Sequence, residues 1–158
     1  MQRHPMTPAG HEKLIEDLRH LKEVERPKIV RDIEDARAHG DISENSEYED
    51  AKERQAHCEG RILELTGRIA AAEIIDIKKV APSERVIFGT TVVVEDGESE
   101  EEARYRIVGE DEADVKAGLV SVTSPIARAL IGRNVGDEVL VQTPRGARRL
   151  TITDVLYV

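Results

Sequence analysis

Asp41 and Glu44 are the residues of this chain whose type and spacing can do chemistry. They stand three apart in the stretch His39-Gly40-Asp41-Ile42-Ser43-Glu44-Asn45-Ser46-Glu47-Tyr48, which reads as a short acidic turn. Two carboxylates so placed can converge on one hard divalent cation such as Mg²⁺, which takes oxygen ligands and keeps water and phosphate in its shell. Such a cation activates water for attack on a phosphodiester. Two acids alone hold Mg²⁺ weakly. The sequence shows no second acidic cluster placed to complete a site, no phosphate-cradling glycine loop, no nucleophile elbow and no zinc-ligand spacing. Any chemistry here is shared with a partner that supplies the remaining ligands. A structural reading stands beside this one. Asp41-x-x-Glu44 and Ser46-x-x-Glu49 both have capping-box spacing, and acids in a first helical turn are favoured by the helix dipole. Pattern alone leaves both open.

The turn is positioned by two long helical patterns, one on each side. The first begins near Thr7-Pro8, a good helix start, and reaches Gly40, a natural C-terminal cap. Its apolar stripe runs through Leu14, Leu18, Leu21, Ile29 or Val30, Ile33 and Ala36. Pro27 interrupts it, which predicts either one kinked helix or two helices abutting at Arg26-Pro27. The second pattern runs from about Ser43 to about Asp76. Tyr48, Ala51, Gln55, Cys58, Ile62, Leu65, Ile69 and Ala72 step alternately by three and four, a coiled-coil seam with charged flanks. Cys58 reads as a small core residue. Two helices joined by a short link fold back as a hairpin. Arg31, Arg37, Lys52 and Arg54 lie near the turn, either as solvated flanks or as contacts to a phosphate backbone.

Beyond Ile77 the pattern changes. Residues 1–78 form the expected hairpin domain, 79–84 a linker around Ala81-Pro82-Ser83, and 85–158 a second domain. Strands are expected at Arg85–Val94, Ala103–Val108, Leu119–Val122, Glu138–Thr143 and Arg149–Val155. A short helix is expected at Pro125–Ile131, started by Ser124 and ended by Gly132. The fold class is α+β with two domains.

The totals narrow the function classes. A net charge of −9 works against free binding to DNA or RNA, and 3% aromatics with no Trp gives little to stack on exposed bases. One cysteine allows no internal disulfide. No stretch approaches the roughly 20 apolar residues of a membrane span, so a cytoplasmic protein with no membrane partner is expected.

Ala36-Arg37-Ala38-His39-Gly40-Asp41-Ile42-Ser43-Glu44-Asn45-Ser46-Glu47-Tyr48 closely resembles the GreA/GreB family of bacterial transcript cleavage factors. Cys58-Glu59-Gly60-Arg61-Ile62, Arg85-Val86-Ile87-Phe88-Gly89, Tyr105-Arg106-Ile107-Val108-Gly109, Asp111-Glu112-Ala113-Asp114 and Ser124 through Gly132 resemble the same family, in family order, so the likeness covers essentially the whole chain. It implies an N-terminal antiparallel coiled-coil hairpin and a C-terminal FKBP-like domain. The latter docks on RNA polymerase at the mouth of its secondary channel, and the hairpin enters that channel. The polymerase's own hydrolysis of backtracked RNA 3′ ends is then stimulated, so the chain is an accessory factor and not an enzyme alone.

By this resemblance Asp41 and Glu44 are the catalytic acidic pair, helping to hold a second Mg²⁺ shared with the polymerase and its attacking water. Asn45 and Tyr48 support the tip, Arg37 and Lys52 contact RNA, and Ser124, Pro125, Ile126 and Ala127 form the polymerase-docking segment. Ile42 and Ser43 depart from the commonest family form, which has Leu and Lys there. The A-type member is favoured, because the B-type usually carries a larger basic patch on its hairpin. A working monomer is expected, with the seam satisfied inside the hairpin. Prolyl isomerase activity is set aside, because fold does not fix function and Phe88, Tyr105 and Tyr157 are few residues to line an apolar pocket. Two competitors remain: a channel-blocking inhibitory paralogue of the same shape, and a polymerase-independent coiled-coil adaptor or chaperone.

Overall fold

The computed structural model of the 158-residue chain describes residues 3–39 and 46–158. It divides into two compact units. The first is His11–Ala72; the second joins the chain before it, through Gly10, to Glu73–Val158. The expected boundary near residue 78 therefore differs from the observed division. Strand β1 (His4–Met6) pairs with β2 (Ala72–Ile74), and Ile75 N–H donates to Met6 O at 2.9 Å. The N-terminal stretch is thereby tied to the second unit. This pairing also accounts for the early end of the second long helix at Ala70 rather than near Asp76. The β-branched Ile74-Ile75 run goes into strand and turn instead of helix.

Helix α1 (Pro8–His20), which enters the first unit at His11, a π-turn (Leu21–Glu25) and α2 (Arg26–Ala38) run on without a break. His20, Glu25 and Arg26 all keep right-handed helical backbone angles. Pro27 has no N–H to offer and its ring crowds the carbonyl four residues back. The turn before it widens, and Arg26 N–H reaches back to Leu21 O. Of the two expectations for Pro27, the continuous helix is the one observed.

Helix α3 (Ser46–Ala70) packs on this run through the expected seam. Ala51, Cys58, Ile62 and Leu65 are buried, while Ile29 and Ile33 face them and Val30 stays exposed. Arg26 binds Glu59 through two hydrogen bonds, of 2.9 and 2.8 Å. Arg54 pairs with Asp32 at 3.0 Å. Partners fall in number on one helix as they rise on the other, so α2 and α3 run antiparallel.

The second unit holds a five-stranded sheet in the order β5-β4-β3-β7-β6. Its strands are β3 (Thr91–Asp96), β4 (Glu102–Val108), β5 (Leu119–Ser121), β6 (Glu138–Thr143) and β7 (Gly146–Leu156). Strands β4 and β5 are parallel and the other neighbours antiparallel. Alternation puts Val92 and Val94, Val139 and Val141, and Leu150 and Ile152 into one core with Ile107 and with Ala127 and Leu130 of α4 (Pro125–Leu130). The expected strand at Arg85–Val94 begins only at Thr91. Before it, Gly89 takes φ +90, Thr90 N–H and Oγ1 both bond Ile87 O, and Arg85 makes only an isolated bridge to Asn134. Gly89 closes on the buried Ile77, which a Cβ there would meet at 3.2 Å. Among the described residues no helix is long and apolar enough to cross a membrane.

Candidate functional site

Helix α2 ends at Ala38 and α3 begins at Ser46, so the acidic stretch is the link between them. Asp41, Glu44 and Asn45, with Ile42 and Ser43, lie outside the described residues. What the described residues show is the neck on either side. The Arg37 guanidinium sits over the Tyr48 ring, 5.8 Å from its centroid. Tyr48 is half-buried and its inner edge packs on the seam cluster of Ile29, Ile33, Ala51, Cys58 and Ile62. The two helices are therefore pinned together close to the link by a hydrophobic residue that also carries a cation on its outer face.

Lys52 is exposed and gives its Nζ to Gln55 Oε1 at 3.0 Å. Arg54 is held by Asp32 and, at 3.2 Å, by Asp50. Those bonds, Asp32 first, raise its pKa further above the ordinary arginine value. Arg31, Arg37 and Lys52 are thus exposed on the helices near the neck, while Arg54 is engaged in holding the helices. Cys58 is buried with Sγ 3.9 Å from Leu21 O. Desolvation, then the neighbouring Glu59, pushes its thiol pKa up, which makes it a packing residue.

The expected docking segment opens α4. Ser124 Oγ accepts from Ala127 N–H at 3.3 Å and donates to Ser121 O at 2.6 Å, which fixes the helix start. Pro125 is exposed, and Ser124 and Ile126 are partly so. Ala127 is fully buried in the sheet core, so its side chain offers no surface to a partner. Within the expected docking set Ala127 is thus the residue packed behind Ser124 and Pro125.

Comparison with known proteins bears on both units. A model described as transcription elongation factor, N-terminal, matches residues 4–74, and one described as transcription elongation factor, GreA/GreB, C-term, matches residues 81–157. The chain belongs to the GreA/GreB family of transcription elongation factors. It is 58% identical over its full length to the transcription elongation factor GreA of Anaeromyxobacter sp. (strain K), of which it covers 95%. It is 54% identical to that of Hyphomonas neptunium, over 99% of each chain, and 52% identical to that of Methylococcus capsulatus, over the whole of both.

In this GreA/GreB member the cross-helix contacts Arg37–Tyr48, Arg26–Glu59 and Arg54–Asp32 were not named from sequence. The seam gives the phase of each helix but not its axial register against the other, and register decides which flanking charges meet. Among the described residues no group of three or more His, Cys, Asp or Glu is placed to hold a metal ion. Asp41 and Glu44 are oxygen donors of the type Mg²⁺ takes, but two protein carboxylates fill only part of its shell.

Proposed function

We propose that this chain binds bacterial RNA polymerase and stimulates the polymerase's own cleavage of backtracked RNA 3′ ends. The observation that carries the reading is the pair of family matches, one over each unit, in a chain whose hairpin link contains Asp41 and Glu44. The hairpin enters the secondary channel. Helix α3 alone has 25 residues, about 37 Å of rod at ~1.5 Å per residue. Asp41 and Glu44 are the carboxylates it offers to the active centre, and Asn45 and Tyr48 hold their setting. Arg37 and Lys52 meet the extruded RNA backbone by charge. A Mg²⁺ shared with the polymerase, when bound, supplies Lewis-acid activation of the attacking water. The chain is then an accessory factor, working as a monomer in the cytoplasm, with Ser124, Pro125 and Ile126 as its docking surface on the polymerase.

The test is competition on arrested elongation complexes. Added chain is expected to restore elongation. Loss of synthesis with no recovery of arrested complexes would instead make the chain a channel blocker. Failure to co-purify with polymerase at all would leave only the adaptor reading.

A further inference from the structure

Asp111-Glu112-Ala113-Asp114 has no part in the site described above, yet one of its acids is tied to the start of the hairpin's first helix. Glu112 closes a short 3-10 turn (Glu110–Glu112) that follows β4. Its Oε2 accepts from Gly109 N–H at 3.0 Å, inside its own turn, and from Thr7 N–H at 3.1 Å, 105 residues away in sequence. Its Oε1 accepts from the Thr7 hydroxyl. Thr7, Gly10 and Glu112 all belong to the second unit.

Thr7 stands just before α1, and its Oγ1 accepts from Gly10 N–H at 3.1 Å, an ordinary helix cap. Local chemistry therefore starts α1 without Glu112. What Glu112 adds is attachment: it fastens that cap to the 109–112 turn, with its charge at the end of the helix that favours an anion. Thr7 is buried, and the packing around it leaves no slack. A Cβ at Gly10 would run into the Glu112 side chain, and one at Gly109 would meet Pro5 O at 2.7 Å.

From this fastened turn the same helix continues past Gly10 into the first unit. Gly10 to Ala38 is about 42 Å of rod at ~1.5 Å per residue. On that length a tilt of about 3° at the first turn moves the far end by about 2 Å. A misplacement of about 1 Å can cost a reaction about a hundredfold in rate.

We propose that Glu112 is a positioning residue for transcript cleavage: by clamping the base of α1 in the unit that docks, it fixes the start of the rod that carries Asp41 and Glu44. The inference rests on the function proposed above. Glu112→Ala removes every bond of the clamp. Glu112→Gln keeps the length and one oxygen for the two N–H donors, and its Nε2–H donates to the Thr7 hydroxyl, which has acceptor capacity left.

The test has two arms, both on the full chain. Amide hydrogen exchange of the chain alone is expected to quicken at Thr7 and Gly10 in Glu112→Ala and to change little in Glu112→Gln. The chain is then titrated onto backtracked elongation complexes with labelled RNA and Mg²⁺, which separates the half-saturating concentration from the cleavage rate at saturation. In Glu112→Ala the half-saturating concentration is expected to stay within about twofold of wild type. The rate at saturation is expected to fall about tenfold or more, with Glu112→Gln restoring most of it. Glu112→Asp keeps the charge but stops one methylene short of Thr7, and carries the comparison with the same expected fall if Glu112→Ala does not fold. Unchanged exchange in Glu112→Ala overturns the clamp. An undiminished rate at saturation, or a loss seen only in the half-saturating concentration, overturns the positioning role while leaving the functional reading intact. No fragment release by the wild type at any concentration overturns that reading and this proposal with it.

Discussion

Ile62→Ala tests whether the hairpin is held by its own small core. Ile62 is 7% exposed and packs with Ile29, Ile33, Ala51 and Cys58. The substitution removes three buried carbons, about 2.4 kcal/mol at ~0.8 kcal/mol each. A cavity contribution raises the expected loss to about 3 kcal/mol, inside the usual range for such a change. The adjacent Leu63 is 76% exposed, and Leu63→Ala is expected to stay within about 0.5 kcal/mol. Urea unfolding followed by far-UV circular dichroism reads the loss. Amide hydrogen exchange on α3 and on β6–β7 shows where it falls. The seam residues and the sheet core form separate clusters, so protection should drop in α3 and hold in β6–β7. A loss under about 1 kcal/mol, or equal for the two substitutions, would refute the seam assignment. Equal loss of protection in the sheet would refute the separation of the cores.

Three further outcomes follow from the same structure. Gly60→Ala and Gly67→Ala, where a Cβ meets nothing within 4 Å, are expected to stabilise α3 by up to about 1 kcal/mol each. Gly10→Ala should destabilise despite its helical setting, because its Cβ would meet Glu112 Cδ at 2.3 Å and disturb the bonds Glu112 accepts from Thr7 and Gly109; thermal unfolding of the three variants gives the signs. Asp96, buried at the β3–β4 turn, accepts from Glu98 N–H and from Arg148, which lower its pKa below the usual carboxylate value. That stabilisation is complete above the ordinary value near pH 4 and is lost as pH falls through the lower folded-state value. Asp96→Asn should therefore be less stable than wild type at neutral pH and flatten the acid limb of a stability–pH curve. Pro125→Ala, at an exposed position, should weaken polymerase binding without changing the unfolding midpoint, whereas Ala127→Leu should lower the midpoint by overpacking the core.

What was legible from sequence follows from how strongly each feature is repeated. The seam through Ala51, Cys58, Ile62 and Leu65 recurs over many turns, and the burial agrees with it. The Ser124 cap is local chemistry and holds as read. Strand β1 was missed because His4-Pro5-Met6 is too short to show alternation and has a proline, tolerated only at an edge. Its partner β2 was hidden in the apolar run that continues the seam past Ala70. The β-branched pair Val86-Ile87 reads as strand in sequence, but Gly89 and Thr90 make a turn just after it, so the strand starts only at Thr91. The meeting of Glu112 with Thr7 depends on contacts between distant segments, which periodicity does not encode. Asp41 and Glu44 were found by residue type and by resemblance, and the described geometry reaches only to their flanks.

The role proposed for Asp41 and Glu44 is played in another protein's active centre. The direct measurement uses backtracked elongation complexes carrying 3′-end-labelled RNA, with Mg²⁺, and compares the wild type with Asp41→Ala and Glu44→Ala at matched polymerase occupancy. Short labelled 3′ fragments should be released rapidly by the wild type and not by either variant while both stay bound. Wild-type binding without release, or release undiminished in the variants, would contradict it.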